Sequence, residues 1–144
     1  MTSPSSPRWQ WPLAYATTLL VFLAMDAVWL STATAALYRP AIGHLLAPTV
    51  DWVAAALFYV FYLAGLVYFA VAPALAARSS RIALGRGVLL GLLCYGTYDF
   101  TNQATMQGWP WLVTVVDLAW GGTVTGVSCW AAAAVTLKLL RHSR

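Results

Sequence analysis

Four long apolar runs alternate with short polar connections along the 144 residues of the chain. The runs cover residues 11–38, 52–75, 84–106 and 111–137. Each run is long enough to cross the hydrocarbon core of a bilayer as a helix, which takes about 20 residues. We therefore predict an all-α, polytopic membrane protein with four transmembrane helices in an antiparallel bundle. One domain would cover residues 11–138, between a short cytoplasmic tail at 1–10 and a basic cytoplasmic tail at 139–144.

The composition excludes an ordinary soluble domain, because 61% of the residues are hydrophobic and only 8% are charged. The eight basic residues lie where apolar runs end: Arg8, Arg39, Arg78, Arg81, Arg86, Lys138, Arg141 and Arg144. The net charge of +4 therefore indicates membrane topology and no nucleic-acid partner. Only Arg39 falls on the side opposite the other seven. The positive-inside rule then predicts that both termini are cytoplasmic.

The third run contains side chains that can hydrogen-bond or ionise, which is unusual for a membrane-spanning helix. Tyr98, Asp99, Thr101 and Asn102 lie within five consecutive positions. Because hydrocarbon strongly disfavours an ionisable group, Asp99 and Asn102 should face a protein interior or a wet cavity. Residues in such places are candidates for a functional site.

Two other runs bring an aspartate to a similar depth. At a rise of about 1.5 Å per residue, Asp26 and Asp99 each lie about 22 Å from the cytoplasmic end of their helices. Asp117 lies about 10 Å below the outer end of the fourth helix. The three carboxyl groups should therefore meet in the outer half of the membrane. Asp51, in contrast, falls at the start of the second helix, where we expect it to cap the helix.

Three ionised aspartates side by side would repel one another strongly in a low dielectric. We therefore expect some of them to be protonated or paired with a cation. Arg39 or His44 could supply positive charge from the outer connection. A paired network of that kind would also serve a purely structural purpose, by joining the helices.

Aromatic residues accompany the aspartates. Trp29 and Trp120 each follow an aspartate by one helical turn, so each shares a face with it. Since the first and fourth helices run in opposite directions, we expect Trp29 above the acid layer and Trp120 below it. Tyr59 and Tyr62 lie at mid-depth in the second helix, where a phenol hydroxyl needs a hydrogen-bond partner.

These residues form one predicted site. Its ligand-binding members are Asp26, Trp29, Tyr59, Tyr62, Tyr98, Asp99, Thr101, Asn102, Asp117 and Trp120, and Arg39 and His44 are outer-loop contributors. Asp99, Asp117 and Asp26 are the candidates for a catalytic role. The sequence shows no cofactor signature, although a bound cation fits the carboxylate and amide oxygens.

Several segments carry a family resemblance: Asp26-Ala-Val-Trp29-Leu30, Tyr38-Arg39-Pro-Ala-Ile-Gly43, Tyr98-Asp99-Phe-Thr101-Asn102 and Val116-Asp117-Leu-Ala-Trp120-Gly121. Across nearly its whole length, the chain resembles an uncharacterised family of small, four-helix bacterial inner-membrane proteins. The resemblance implies that location and a four-span architecture. It implies no activity and no catalytic residue.

Two functions fit the predicted site. The first is binding or moving a cation, whether a proton, a metal ion or an organic ammonium held against the ring faces. A carrier with only four helices would need a homodimer. The alternative is an enzyme acting on a lipid or isoprenoid, with Asp99 as a protonated general acid and Asp117 as its electrostatic partner. A third interpretation is a structural polar network or a subunit of a larger membrane complex.

Overall fold

The computed structural model describes residues 7–142, and all regular structure in that range is helical. Most of the predicted N-terminal tail and the last two residues of the C-terminal tail lie outside the described range. The first helical segment runs from α1 (Gln10–Ala33) through a π turn (Thr34–Tyr38) into α2 (Arg39–Ile42) and a 3₁₀ turn (Gly43–Leu45). The second runs from α3 (Trp52–Leu66) through a π turn (Val67–Val71) into α4 (Ala72–Ala76). Two long helices follow, α5 (Ser80–Thr105) and α6 (Trp111–His142).

Three of these segments are long and apolar enough to cross a membrane. They are Gln10–Leu45, Trp52–Ala76 and Trp111–His142. The fourth predicted run coincides with α5, whose 26 residues give a length of about 39 Å. It is less apolar than the other segments because it contains Arg81, Arg86 and Asp99, and it is not among the three.

A proline follows each of the two π turns at the second position after its end. The first π turn ends at Tyr38 and precedes Pro40, and the second ends at Val71 and precedes Pro73. Proline has no N–H to donate, and its ring collides with the carbonyl group four residues earlier. A locally widened turn relieves that collision and keeps the helix continuous. The first helix therefore continues to Leu45, beyond its predicted end at residue 38.

The second proline also explains a contact between segments. The carbonyl oxygen of Phe69, four residues before Pro73, cannot receive the usual helical bond from that proline. The guanidinium Nη1 of Arg86 on α5 donates to this oxygen at 3.2 Å. Arg86 thereby satisfies a backbone acceptor that lipid could not satisfy.

Helices α5 and α6 pack backbone to backbone through glycines. A Cβ atom added at Gly91 would lie 2.1 Å from the carbonyl oxygen of Gly121, so only glycine permits this approach. Gly87 likewise lies against Gly126. These contacts run in opposite order along the two helices, so α5 and α6 are antiparallel. Their close pairing brings Asp99 and Asp117 to the same region of the structure.

Residues four apart line the buried face of α1, namely Ala14, Thr18, Phe22 and Asp26. At the start of α3, Asp51 accepts hydrogen bonds from the N–H groups of Val53 and Ala54, at 3.0 and 3.1 Å. This confirms the predicted helix cap at Asp51. The main core includes Phe22, Leu63 and Val124, and the rings of Tyr59, Tyr95 and Trp120 pack against it.

Candidate functional site

Asp26 links α1 to α3. Its side chain is only 7% exposed, and the Tyr59 hydroxyl donates to its Oδ2 at 2.6 Å. Phe22, one turn earlier on α1, meets the Tyr59 ring edge to face at 6.2 Å between centroids. Tyr59 is therefore held by both a hydrogen bond and an aromatic contact.

Asp117 on α6 takes part in a chain of hydrogen bonds that reaches α1. The hydroxyl of Tyr38 donates to Asp117 Oδ1, and the same hydroxyl accepts from Trp29 Nε1 at 3.0 Å. The phenol is thus acceptor and donor at once, which strengthens both bonds in a dry setting. Asp117 is 7% exposed, whereas Tyr38 and Trp29 are half-buried.

The π turn accounts for the position of Tyr38. Nine residues of regular α-helix would place Tyr38 about 180° around the axis from Trp29. One extra residue in the turn reduces that angle to about 80°. The widened turn ends at Tyr38 itself. The distortion caused by Pro40 therefore brings the Tyr38 hydroxyl to the face that carries Trp29.

Trp29 and Trp120 stack directly on each other. Their ring centroids lie 4.5 Å apart and their planes differ by 7°. The prediction that one indole lies above the acids and the other below is therefore wrong. Helical side chains lean toward the N-terminus of their own helix, and the contacts of Trp29 with Trp120 and of Tyr38 with Asp117 show that the two helices run in opposite directions. The two indoles consequently lean toward each other and meet.

Asp99 is the most deeply buried of the three acids. It has no exposed surface, and neither carboxyl oxygen has a hydrogen-bond partner among the described residues. Asp117 lies close enough to interact with it electrostatically, as does Tyr38. A buried carboxyl group without a partner is uncommon in folded proteins, so Asp99 differs in kind from the two hydrogen-bonded aspartates.

Tyr95 lies near two of the three acids. It is near enough to interact electrostatically with both Asp26 and Asp117. Its ring rests directly on Gly121, where an added Cβ would approach the Tyr95 Cγ to 2.2 Å. Tyr95 and Tyr38 were not among the predicted site residues. Tyr95 precedes Asp99 by four positions on α5 and so shares its face, a spacing that the sequence does contain.

The four remaining predicted residues of the inner site are Tyr62, Tyr98, Thr101 and Asn102. Tyr62 pairs with Thr125 at 2.8 Å and not with an aspartate. Tyr98 is 57% exposed, Thr101 is exposed and bonds back to the Thr97 carbonyl, and Asn102 is half-buried. These three lie beside Asp99 in sequence, but helical geometry turns Tyr98 and Thr101 about 100° and 200° away from it.

The two outer-loop contributors, Arg39 and His44, are both exposed. Within residues 7–142, the hydrogen bonds to Asp26 and Asp117 come from tyrosines, and no basic side chain donates to either carboxyl. In the same range, no three His, Cys, Asp or Glu side chains come together as a ligand set for a metal ion.

Comparison with known families gives one match. The family model described as "Predicted membrane protein (DUF2177)" matches residues 11–134. The chain belongs to this family. The expected membership of an uncharacterised family of membrane proteins is thereby confirmed. The matched range includes every residue of the acidic and aromatic cluster, from Asp26 to Trp120. No curated protein and no solved structure matches the chain.

Proposed function

We propose that this membrane protein carries an intramembrane proton-binding site, formed by Asp99 and Asp117 with Tyr38 and Tyr95 around them. The supporting observation is the state of Asp99, which is fully buried, lacks a hydrogen-bond partner among the described residues, and lies near a second carboxyl group. Two negative charges in such a place cost more free energy than one charge and one bound proton. The pair therefore takes up a proton, and its release requires a change in the surroundings.

Among the cations considered, the proton fits this geometry best. A metal ion needs several ligands at once, and no three His, Cys, Asp or Glu side chains come together among the described residues. An organic ammonium binds against aromatic faces, and the stacking of Trp29 on Trp120 leaves only one face of each ring for that purpose. A proton needs only one carboxyl oxygen and a path to reach it.

Tyr38 is suited to pass the proton. Its hydroxyl contacts Asp117 on one side and Trp29 on the other, and it is only half-buried. The Trp29 N–H occupies one lone pair of the phenol oxygen, and the second lone pair can take a proton from the surroundings while the phenol's own proton moves to Asp117. The path thus runs from the half-buried Tyr38 to Asp117 and then to the fully buried Asp99.

The membrane arrangement that accompanies this site is a four-helix antiparallel bundle in which α5 also crosses the bilayer. Glycine-mediated packing holds α5 along α6, and α6 is long and apolar enough to span. A helix held in this way shares the depth of its partner, and its backbone groups are satisfied within the helix. Both termini would be cytoplasmic, in a bacterial inner membrane, as the basic residues and the resemblance suggest.

Infrared spectroscopy at neutral pH tests the proposal directly. A protonated carboxyl group has its own carbonyl stretching band, which we expect in the purified wild-type protein in nanodiscs. Asp99→Asn should remove or shift this band. Asp51→Asn should leave it unchanged, because Asp51 is an exposed helix cap.

Two outcomes would contradict the proton-binding proposal. If the band is absent in the wild-type protein, or identical in Asp99→Asn, then the acids form only a structural network. If the band is present but the protein chemically alters a co-purified lipid, and Asp99→Asn stops that reaction, then the enzymatic alternative replaces the proton-binding proposal.

A further inference from the structure

A second polar feature lies at the opposite end of α5 and α6 from Asp99 and Asp117. The connection between α4 and α5, the first turn of α5 and the last turns of α6 form an open cavity of about 610 Å³. Its polar lining comprises Arg78 and Ser79 from the connection, Ser80 and Arg81 from the first turn of α5, and Lys138, Arg141 and His142 from α6. The residues thus come from two parts of the chain that are about 60 positions apart.

The charge of this cavity is not balanced by acidic side chains. Four of the eight basic residues of the chain line it, while none of the four aspartates does. Like charges gathered in one place raise the free energy of the protein unless an anion joins them. An anion with several oxygen atoms would suit the two serine hydroxyls and the planar donor groups of the arginines.

The backbone conformation of Arg78 is unusual for a residue with a side chain. Arg78 has a left-handed conformation, with φ of 53°. Its N–H donates to the Leu75 carbonyl at 3.1 Å and the Ser79 N–H donates to the Ala74 carbonyl at 3.0 Å, the pattern of a Schellman helix end. Glycine normally occupies that position because it adopts the conformation without strain. The large cationic side chain is therefore present despite a backbone that disfavours it.

We infer that this cavity binds the phosphate group of an anionic phospholipid. The cavity lies at the end of α6, which is long and apolar enough to span the membrane, so it is at the level of lipid headgroups. Ala134 and Leu137 also line it and supply an apolar side toward the acyl chains. Basic pockets at the ends of transmembrane helices recognise anionic headgroups in this way. The inference does not depend on the proposed proton site.

Native mass spectrometry of the detergent-solubilised protein tests the inference. We expect phosphatidylglycerol to bind more tightly than phosphatidylcholine. The double variant Arg81→Gln with Lys138→Gln should lose about 25-fold in phosphatidylglycerol affinity, at about fivefold per basic residue. The control double variant Arg8→Gln with Arg39→Gln loses the same charge outside the cavity and should bind as the wild type does.

A third variant separates binding from folding. Arg78→Gly should raise the melting temperature, because glycine relieves the left-handed backbone, and it should lower phosphatidylglycerol affinity about fivefold. Equal losses in the cavity and control variants would overturn the inference, because nonspecific attraction would then explain the binding. Saturation of the cavity by inorganic phosphate, with no preference for the lipid, would also overturn it.

Discussion

Tyr38 donates a hydrogen bond to Asp117 across 79 positions of sequence, and this contact ties the first helical segment to α6. The same hydroxyl accepts from Trp29, which stacks on Trp120 of α6. Trp29 and Asp117 therefore meet at one phenol oxygen, that of Tyr38. The widened turn before Pro40 makes the arrangement possible, since a regular helix would point Tyr38 elsewhere.

Removal of the Tyr38 hydroxyl should destabilise the protein. In Tyr38→Phe, Asp117 loses a donor and the Trp29 N–H loses its acceptor, so we expect a loss of about 1–3 kcal/mol. Unfolding in mixed detergent micelles measures this difference. The control Tyr68→Phe changes a ring that is 72% exposed and should have little effect. Equal stabilities of the two variants would contradict the hydrogen-bond chain.

Truncation to alanine should change the stability of the protein differently at Asp117 and at Asp99. Asp117→Ala removes the acceptor of the Tyr38 hydroxyl and should cost about 1–3 kcal/mol. Asp99→Ala breaks no hydrogen bond in the described structure, so its stability should equal or exceed that of the wild type. Unfolding of both variants under the same conditions measures the contrast. A large loss for Asp99→Ala would show that Asp99 has a structural partner.

Gly121 should tolerate no side chain. In Gly121→Ala the new methyl group would overlap the Tyr95 ring, and we expect a loss of roughly 1–3 kcal/mol from the forced repacking. Gly65→Ala is the matched control, since an added Cβ there meets nothing within 4 Å and alanine favours the helix. Equal stabilities of Gly121→Ala and Gly65→Ala would contradict the close approach of α5 to α6 at Gly121.

The hydrogen bond from Arg86 to the Phe69 carbonyl oxygen should stabilise the protein. Arg86→Gln shortens the donor that reaches this oxygen at 3.2 Å, and we expect a loss of about 1 kcal/mol. Combining it with Pro73→Ala should reduce the loss, because alanine restores a backbone donor to the same carbonyl. A double-mutant cycle measures this coupling. Strict additivity would show that Arg86 acts independently of the proline.

Reporter fusions should place both ends of the chain on the same side of the membrane. We expect fusions at Met1 and at Arg144 to report cytoplasm, because the basic residues are so unequally divided. This result requires an even number of spans and therefore requires α5 to cross. Termini on opposite sides would instead leave the three apolar segments as the spans.

The sequence by itself determined the class of the protein and the location of its polar groups. Apolar runs of about 20 residues identify a membrane protein without reference to any contact. The burial of Asp26, Asp99 and Asp117 could also be expected, since an ionisable group facing lipid is costly. Likewise, Asp51 could be recognised as a cap, because capping depends only on neighbouring backbone groups.

Only the tertiary structure decided which side chains meet. Asp26 and Asp117 are bound by Tyr59 and Tyr38, which lie on other segments, and Tyr62 lies with Thr125 instead. One additional residue in a helical turn rotates everything beyond it by about 100°. Spacing rules that assume a regular helix therefore fail after such a turn. The stacking of Trp29 on Trp120 could likewise not be predicted from the sequence. It depends on how far two antiparallel helices are shifted along each other.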